Sequence, residues 1–217
     1  MTELWSDDRL RWGMHELFKL IPNALGALHA ESPYQLLIAV ILSAQTTDAA
    51  VNKVTPALFA AYPTPAALAA AKPADIEQFI HTIGLFHTKA KHIQETAQQL
   101  VTNFNSTVPH THPELESLPG VGRKTANVVL GDAFGVPSFA VDTHVTRISK
   151  RLPAVSDKAS VRDIERRWTT ALPETEWVQG HHTLILFGRR YCMARNPRCA
   201  ECPLAPYCAT GKPRLSQ

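Results

Sequence analysis

Residues 115–130 read LESLPGVGRKTANVVL. Leu115 and Leu118 stand three apart, as on one helix face, and Ala126 and Leu130 resume helical spacing after the break. Between them, Pro119-Gly120-Val121-Gly122 makes a turn too tight for ordinary side chains. The stretch predicts two helices joined by a short hairpin. Its glycines let backbone N–H groups approach a partner closely, beside the positive N-terminal end of the second helix, and a phosphate suits such a place. Backbone groups that hold a phosphodiester would bind DNA without choosing its sequence. A packed helix-turn-helix corner accounts for the same residues. A phosphate-binding P-loop fits less well, because Arg123 separates Gly122 from Lys124 and a helix, not a strand, precedes the turn.

Outward from the hairpin, the periodicity is helical almost throughout, with breaks at Pro, Gly or a capping Ser or Thr. Helices are expected from Asp7 to Ile21, from Ser32-Pro33 to Ser43, and from Thr47 to about Tyr62, with a restart at Thr64-Pro65. Others fit 73–80, 88–103, 123–133, 142–151, 157–171 and 176–190, and Thr111 with Glu114 matches a capping box. No convincing pair of alternating strands and no internal repeat is present, so the fold class is all-α.

The 217 residues suffice for one large domain or two compact ones. A net charge of only +3 permits a nucleic-acid partner without demanding one. MTELWSDDRLRWG lacks the basic-then-apolar order of a signal peptide, and LLIAVILSA is too short to span a bilayer. The expectation is a cytoplasmic, nucleoid-associated protein that does not engage membranes. All four cysteines, Cys192, Cys199, Cys202 and Cys208, fall in one C-terminal loop spaced C-x6-C-x2-C-x5-C. In a reducing compartment that grouping is a ligand set and not a disulfide framework. Spacing alone suits an iron–sulfur cluster and leaves tetrahedral zinc open.

Lys124 falls in the first turn of the hairpin's second helix, the unfavourable end for a cation. Beside Arg123, its ammonium form is expected to be disfavoured, which would make a neutral, nucleophilic amine more accessible; these residues alone favour the plainer reading, a lysine that contacts phosphate. Asp142, at the start of the next helix, reads as an N-cap or as a carboxylate for chemistry. His181 and His182 are adjacent on a helix, where side chains diverge by about 100°, so they are read as structural and not as ligands of one ion.

SPYQLLIAVILSAQTTD at 32–48, TIGL at 82–85, the hairpin, FAVDTHVTRISKR at 139–151, HHTLILFGRRYC at 181–192 and the cysteine loop together resemble the endonuclease III family of DNA repair glycosylases, in the helix-hairpin-helix superfamily. The likeness covers roughly 30–208. It implies a 4Fe-4S cluster on the four cysteines. It implies that Lys124 attacks C1′ of a flipped, damaged nucleoside, with Asp142 stabilising positive charge or deprotonating the amine. Gln45 and Leu85 match the positions that insert into DNA, although Leu85 alone would read as core. Gly120, Val121, Gly122 and Arg123 would hold phosphate, with His144, Arg195 and Arg198 as further contacts. The implied architecture has two helical domains flanking a DNA-binding cleft. One is a six-helix barrel at about 26–137, with the helix-hairpin-helix at about 112–133; the other is a cluster domain made from 1–25 and 138–217. The implied partner is double-stranded DNA with damaged pyrimidines or abasic sites, and a monomer is expected. Phe86-His87 stand after Leu85 where a Tyr-Asn pair is more usual. An adenine-directed relative would carry a glutamate near residue 41 and no Lys124; this chain has Ile41.

Overall fold

A computed structural model describes residues 3–215, and no strand occurs among them. The first half holds α1 (Asp7–Leu20), α2 (Pro33–Leu42), α3 (Asp48–Ala61), α4 (Pro65–Ala70), α5 (Pro73–Ile80) and α6 (Phe86–Asn103). The second holds α7 (His112–Glu116), α8 (Arg123–Phe134), α9 (Thr143–Arg151), α10 (Val161–Ala171), α11 (Trp177–Arg190) and α12 (Lys212–Leu215). The all-α expectation holds.

Local chemistry sets most helix ends. Ser32, Thr47 and Thr64 accept from the backbone N–H three residues ahead, at 3.2 Å each, which satisfies one orphan donor at each N-terminus. Proline occupies the first turn of α2, α4, α5 and α7, where its missing N–H costs nothing. Gly135 closes α8 in the left-handed region, φ 64°.

Not every expected detail holds. The helix foreseen from 157 begins at Val161, because Ser160 and Asp163 cap each other's backbone in a reciprocal box that defines the start four residues later. The box foreseen at Thr111 is absent: its hydroxyl donates to the Glu114 carboxylate at 2.6 Å, side chain to side chain, and caps no backbone N–H.

The chain divides into two compact units. One spans Ala27–Val136; the other joins the segment through Gly26 to the segment from Pro137 onward. In the 27–136 unit, α2 is buried on nearly every face, from Tyr34 through Leu42 with only Gln35 partly exposed, and it packs against α3, α6 and α8. Each such Leu or Ile contributes about 1.5–3 kcal/mol when fully buried, so α2 is the axis on which the hairpin helix α8 rests. In the other unit, α1 lays Leu10, Met14 and Leu17 into a core shared with Phe139, Trp168, Leu184 and Phe187. The Trp168 indole N–H is satisfied within this core: Nε1 donates to Ser149 Oγ at 2.8 Å, and Ser149 donates to the Val145 carbonyl at 2.7 Å. No helix of the described residues is long and apolar enough to cross a membrane.

Candidate functional site

The hairpin forms as its residues require, with a packed inner side and an open outer side. Leu115 and Leu118 are buried, Val121 is buried with them, and the Val121 N–H donates to the Leu118 carbonyl at 3.1 Å. Thr96 donates to the Pro119 carbonyl at 2.9 Å. Gly120, at φ 76°, sits so close to α6 and α2 that an added Cβ would lie 2.9 Å from His92 Nδ1 and 3.1 Å from Ile41 Cγ2. Gly122 is different: a Cβ there would meet nothing within 4 Å. Gly122 is also the N-cap of α8, and no side chain caps this helix. Its first-turn N–H groups and the positive end of its dipole therefore face open space, the arrangement of an anion site. Arg123 reaches Glu116 at 3.4 Å, and Lys124 stands exposed in that first turn. Val121 is thus anchored twice, its side chain in the core and its backbone N–H on Leu118.

Gln45 and Leu85 occupy two interhelical turns of the same unit, and both are left-handed, at φ 53° and 59°. A non-glycine residue there costs about 1–2 kcal/mol. Gln45 is exposed and Leu85 is 58% exposed, which rules out core packing for Leu85. Leu85 is the N-cap of α6 without a side-chain cap, and that missing signal is why the helix begins two residues before its expected start. His87 pairs with Glu77 at 2.8 Å, so the Phe86-His87 variant ties the start of α6 to α5. A residue missed by sequence reading lies next to these turns: Lys89 is buried, 3% exposed, and donates to Thr46 Oγ1 at 2.6 Å. Burial lowers its pKa below the usual lysine value. The signal that could have found it is a lysine in the first turn of an amphipathic helix, on the side of Ala90 and Ile93.

In the other unit, Asp142 caps α9, accepting from the Val145 N–H at 2.8 Å, and remains half-buried. His144 packs against Gly188, and its Nδ1 lies 3.1 Å from an Arg147 guanidinium nitrogen. His181 and His182 are both buried, but their rings do not diverge: the centroids are 4.0 Å apart at 45°. The rotamers turn the rings together although the Cα–Cβ directions differ, which corrects the geometric argument for keeping them apart.

Cys192, Cys199, Cys202 and Cys208 line one pocket with Ile148, Leu152, Phe187 and Tyr191, and none forms a disulfide. Burial pushes the Cys202 thiol up to about 11 and raises Cys208, and in both cases the neighbouring cysteines add to the rise. Four thiolates crowded into an apolar pocket repel one another unless cationic metal shares them, so the donor set fits an iron–sulfur cluster. Two arginines absent from the sequence argument hold the loop. Arg147 donates to the Cys192 carbonyl at 2.9 Å, and Arg151 donates to Cys192 Sγ at 3.3 Å, Met193 O at 2.7 Å and Ala194 O at 2.9 Å. Their i, i+4 spacing in VTRISKR put them on one face of α9. Arg195 and Arg198 are exposed on the loop, and Arg198 lies 3.7 Å from Glu201.

Residues 38–174 match the HhH-GPD superfamily of base excision DNA repair proteins, and residues 192–208 match the iron-sulfur binding domain of endonuclease III. Endonuclease III of Bacillus subtilis (strain 168) is 44% identical over 206 residues, 95% of this chain and 94% of its own. The structure superposes with TM-score 0.94 on an endonuclease III trapped in a covalent intermediate with DNA, 46% identical over 98% of this chain and all of that one. It superposes with TM-score 0.95 on a non-covalent endonuclease III–DNA complex, 45% identical over 99% of this chain and all of that one. With that sequence match running across the buried α2, the open Gly122 hairpin and the four-cysteine pocket, the chain belongs to the endonuclease III family of HhH-GPD base excision DNA repair proteins.

Proposed function

We propose that Lys124 is the nucleophile through which this protein, a bifunctional DNA glycosylase and AP lyase of base excision repair, removes oxidised pyrimidines from duplex DNA. The observation that carries the reading is an exposed amine in the first turn of α8, two residues after a glycine cap that leaves the helix end open to phosphate. The relative trapped covalently with DNA supports it.

In this reading the backbone around Gly120, Val121 and Gly122, with Arg123, holds a phosphodiester and brings the lesion strand to the lysine. Gln45 and Leu85 fill the gap left by the extruded nucleotide. The Lys124 amine attacks C1′, the C1′–N glycosidic bond breaks, and the base leaves with the bonding electrons. Ring opening gives an imine between Lys124 and C1′. Loss of a C2′ proton then drives departure of the 3′ phosphate by β-elimination, and water releases the lysine. Asp142 takes the attacking amine's proton or stabilises the positive charge that develops at C1′. His144, Arg195 and Arg198 add phosphate contacts. The protein carries a 4Fe-4S cluster, for which Cys192, Cys199, Cys202 and Cys208 are the proposed ligands; when bound, it fixes this basic loop through iron–thiolate bonds. The 27–136 unit corresponds to the helix-hairpin-helix domain and the other to the cluster domain, and the protein acts as a monomer inside the cell.

Borohydride reduction on a duplex with one abasic site tests this. Wild type forms a covalent adduct and Lys124→Ala forms none while keeping its stability, because an exposed side chain contributes within about 0.5 kcal/mol. An adduct with Lys124→Ala refutes the assignment.

A further inference from the structure

Buried lysines are uncommon, because removing an ammonium from water is unfavourable unless a partner compensates. Lys89 also sits in the first turn of α6, where the helix dipole opposes a cation. Its position becomes intelligible from what its two ends hold. The backbone N–H of Lys89 donates to the carbonyl of Leu85 at 3.0 Å, which fixes the left-handed residue of one turn. Its ammonium donates to Thr46 Oγ1 at 2.6 Å, and that hydroxyl donates in turn to the Ala44 carbonyl at 3.4 Å. Ala44 and Thr46 are the neighbours of Gln45, the left-handed residue of the other turn.

We propose that Lys89 is a positioning residue that yokes the Gln45 turn to the Leu85 turn, so that the two side chains enter the DNA gap as one rigid wedge. Each turn alone carries backbone strain and is exposed, so without a cross-link each would relax independently. The relay from Lys89 Nζ through the Thr46 hydroxyl to Ala44 O removes that freedom before DNA arrives, which lowers the ordering cost of insertion. The proposal rests on the reading that Gln45 and Leu85 insert.

The test follows strand opening by stopped-flow fluorescence of 2-aminopurine beside a tetrahydrofuran abasic analogue, with each variant's melting temperature measured alongside. Lys89→Met keeps the aliphatic stem and loses the ammonium; Thr46→Val keeps the volume and loses the hydroxyl. Each slows opening about tenfold, the expected size for one hydrogen bond to a charged group. The double variant is no slower than the slower single one, because both changes cut the same link. Thr46→Ser, which retains the hydroxyl, restores opening. Borohydride trapping on a bulged abasic nucleotide, already extruded, falls far less than opening does, an outcome that general misfolding would not give. The yoke is refuted if Lys89→Met and Thr46→Val open DNA at the wild-type rate while Gln45→Ala and Leu85→Ala are slow, or if the two losses add. If Gln45→Ala and Leu85→Ala also open DNA normally, the insertion reading itself fails and the yoke falls with it.

Discussion

Gly120 and Gly122 differ by two positions and should fail in opposite ways when given a methyl group. At Gly120 the backbone lies at φ 76°, where a non-glycine residue costs about 1–2 kcal/mol. The new Cβ would stand 2.9 Å from His92 Nδ1, 3.3 Å from His92 Cβ and 3.1 Å from Ile41 Cγ2. Rotating the imidazole away does not relieve the last two, so overpacking adds about 1–3 kcal/mol. Gly120→Ala is therefore expected to lose about 2–5 kcal/mol of stability in urea unfolding. At Gly122 the backbone is extended and a Cβ has open space. The weaker cap of alanine and its smaller unfolded-state entropy nearly cancel, leaving stability within about 0.5 kcal/mol. The added methyl instead occupies the side from which a phosphate would approach the α8 terminus. Affinity for a duplex containing an abasic analogue then falls about 10- to 150-fold, the loss of one charge-assisted hydrogen bond. The reasoning is refuted if Gly120→Ala unfolds at the wild-type urea concentration, or if Gly122→Ala is destabilised as strongly as Gly120→Ala.

Further outcomes follow from the same geometry. Asp142→Asn preserves the α9 cap, since Asn and Asp cap comparably, whereas Asp142→Ala costs about 1 kcal/mol of stability; both should lose turnover on lesion-containing DNA, and an active Asp142→Asn enzyme would leave Asp142 only its cap. Leu85→Gly relieves left-handed strain at an exposed position and should raise stability by up to about 1 kcal/mol while slowing strand opening, so parallel loss of both would contradict the strain argument. Cys202→Ala should purify anaerobically without the broad visible absorbance of a cluster, with residues 192–208 newly open to protease; a coloured, resistant variant would exclude Cys202 from the ligands.

What the sequence conveyed well was whatever is written in local chemistry. Ser32, Thr47 and Thr64 announce helix starts because a side-chain oxygen beside a free N–H is a short-range bond, independent of the rest of the fold. The cysteine spacing is legible for the same reason, since its four residues gather within one loop. The start of α6 was misplaced because Leu85 caps it through backbone conformation alone. The contrast between Gly120 and Gly122 was invisible, because it depends on His92 and Ile41 arriving from other helices. Lys89 was missed on the same ground: its burial is created by a turn 43 residues earlier. The facing rings of His181 and His182 follow from rotamers, which spacing does not specify.

The placement of α1 with the segment after Pro137 has a consequence for how the chain matures. Leu10, Met14 and Leu17 are synthesised well before the helices that cover them, α10 and α11, which begin at residues 161 and 177. At about 5–20 residues per second, the interval lasts roughly 7–30 s. The 27–136 unit, contiguous and rich in sequence-local helix pairs, can fold completely in that time. Until then the apolar stripe of Leu10, Met14 and Leu17 lacks the helices that bury it. The pocket lined by the four cysteines is complete only once Cys208 has been made, after the last of the helices that cover α1, so the two closures of this unit come in a fixed order.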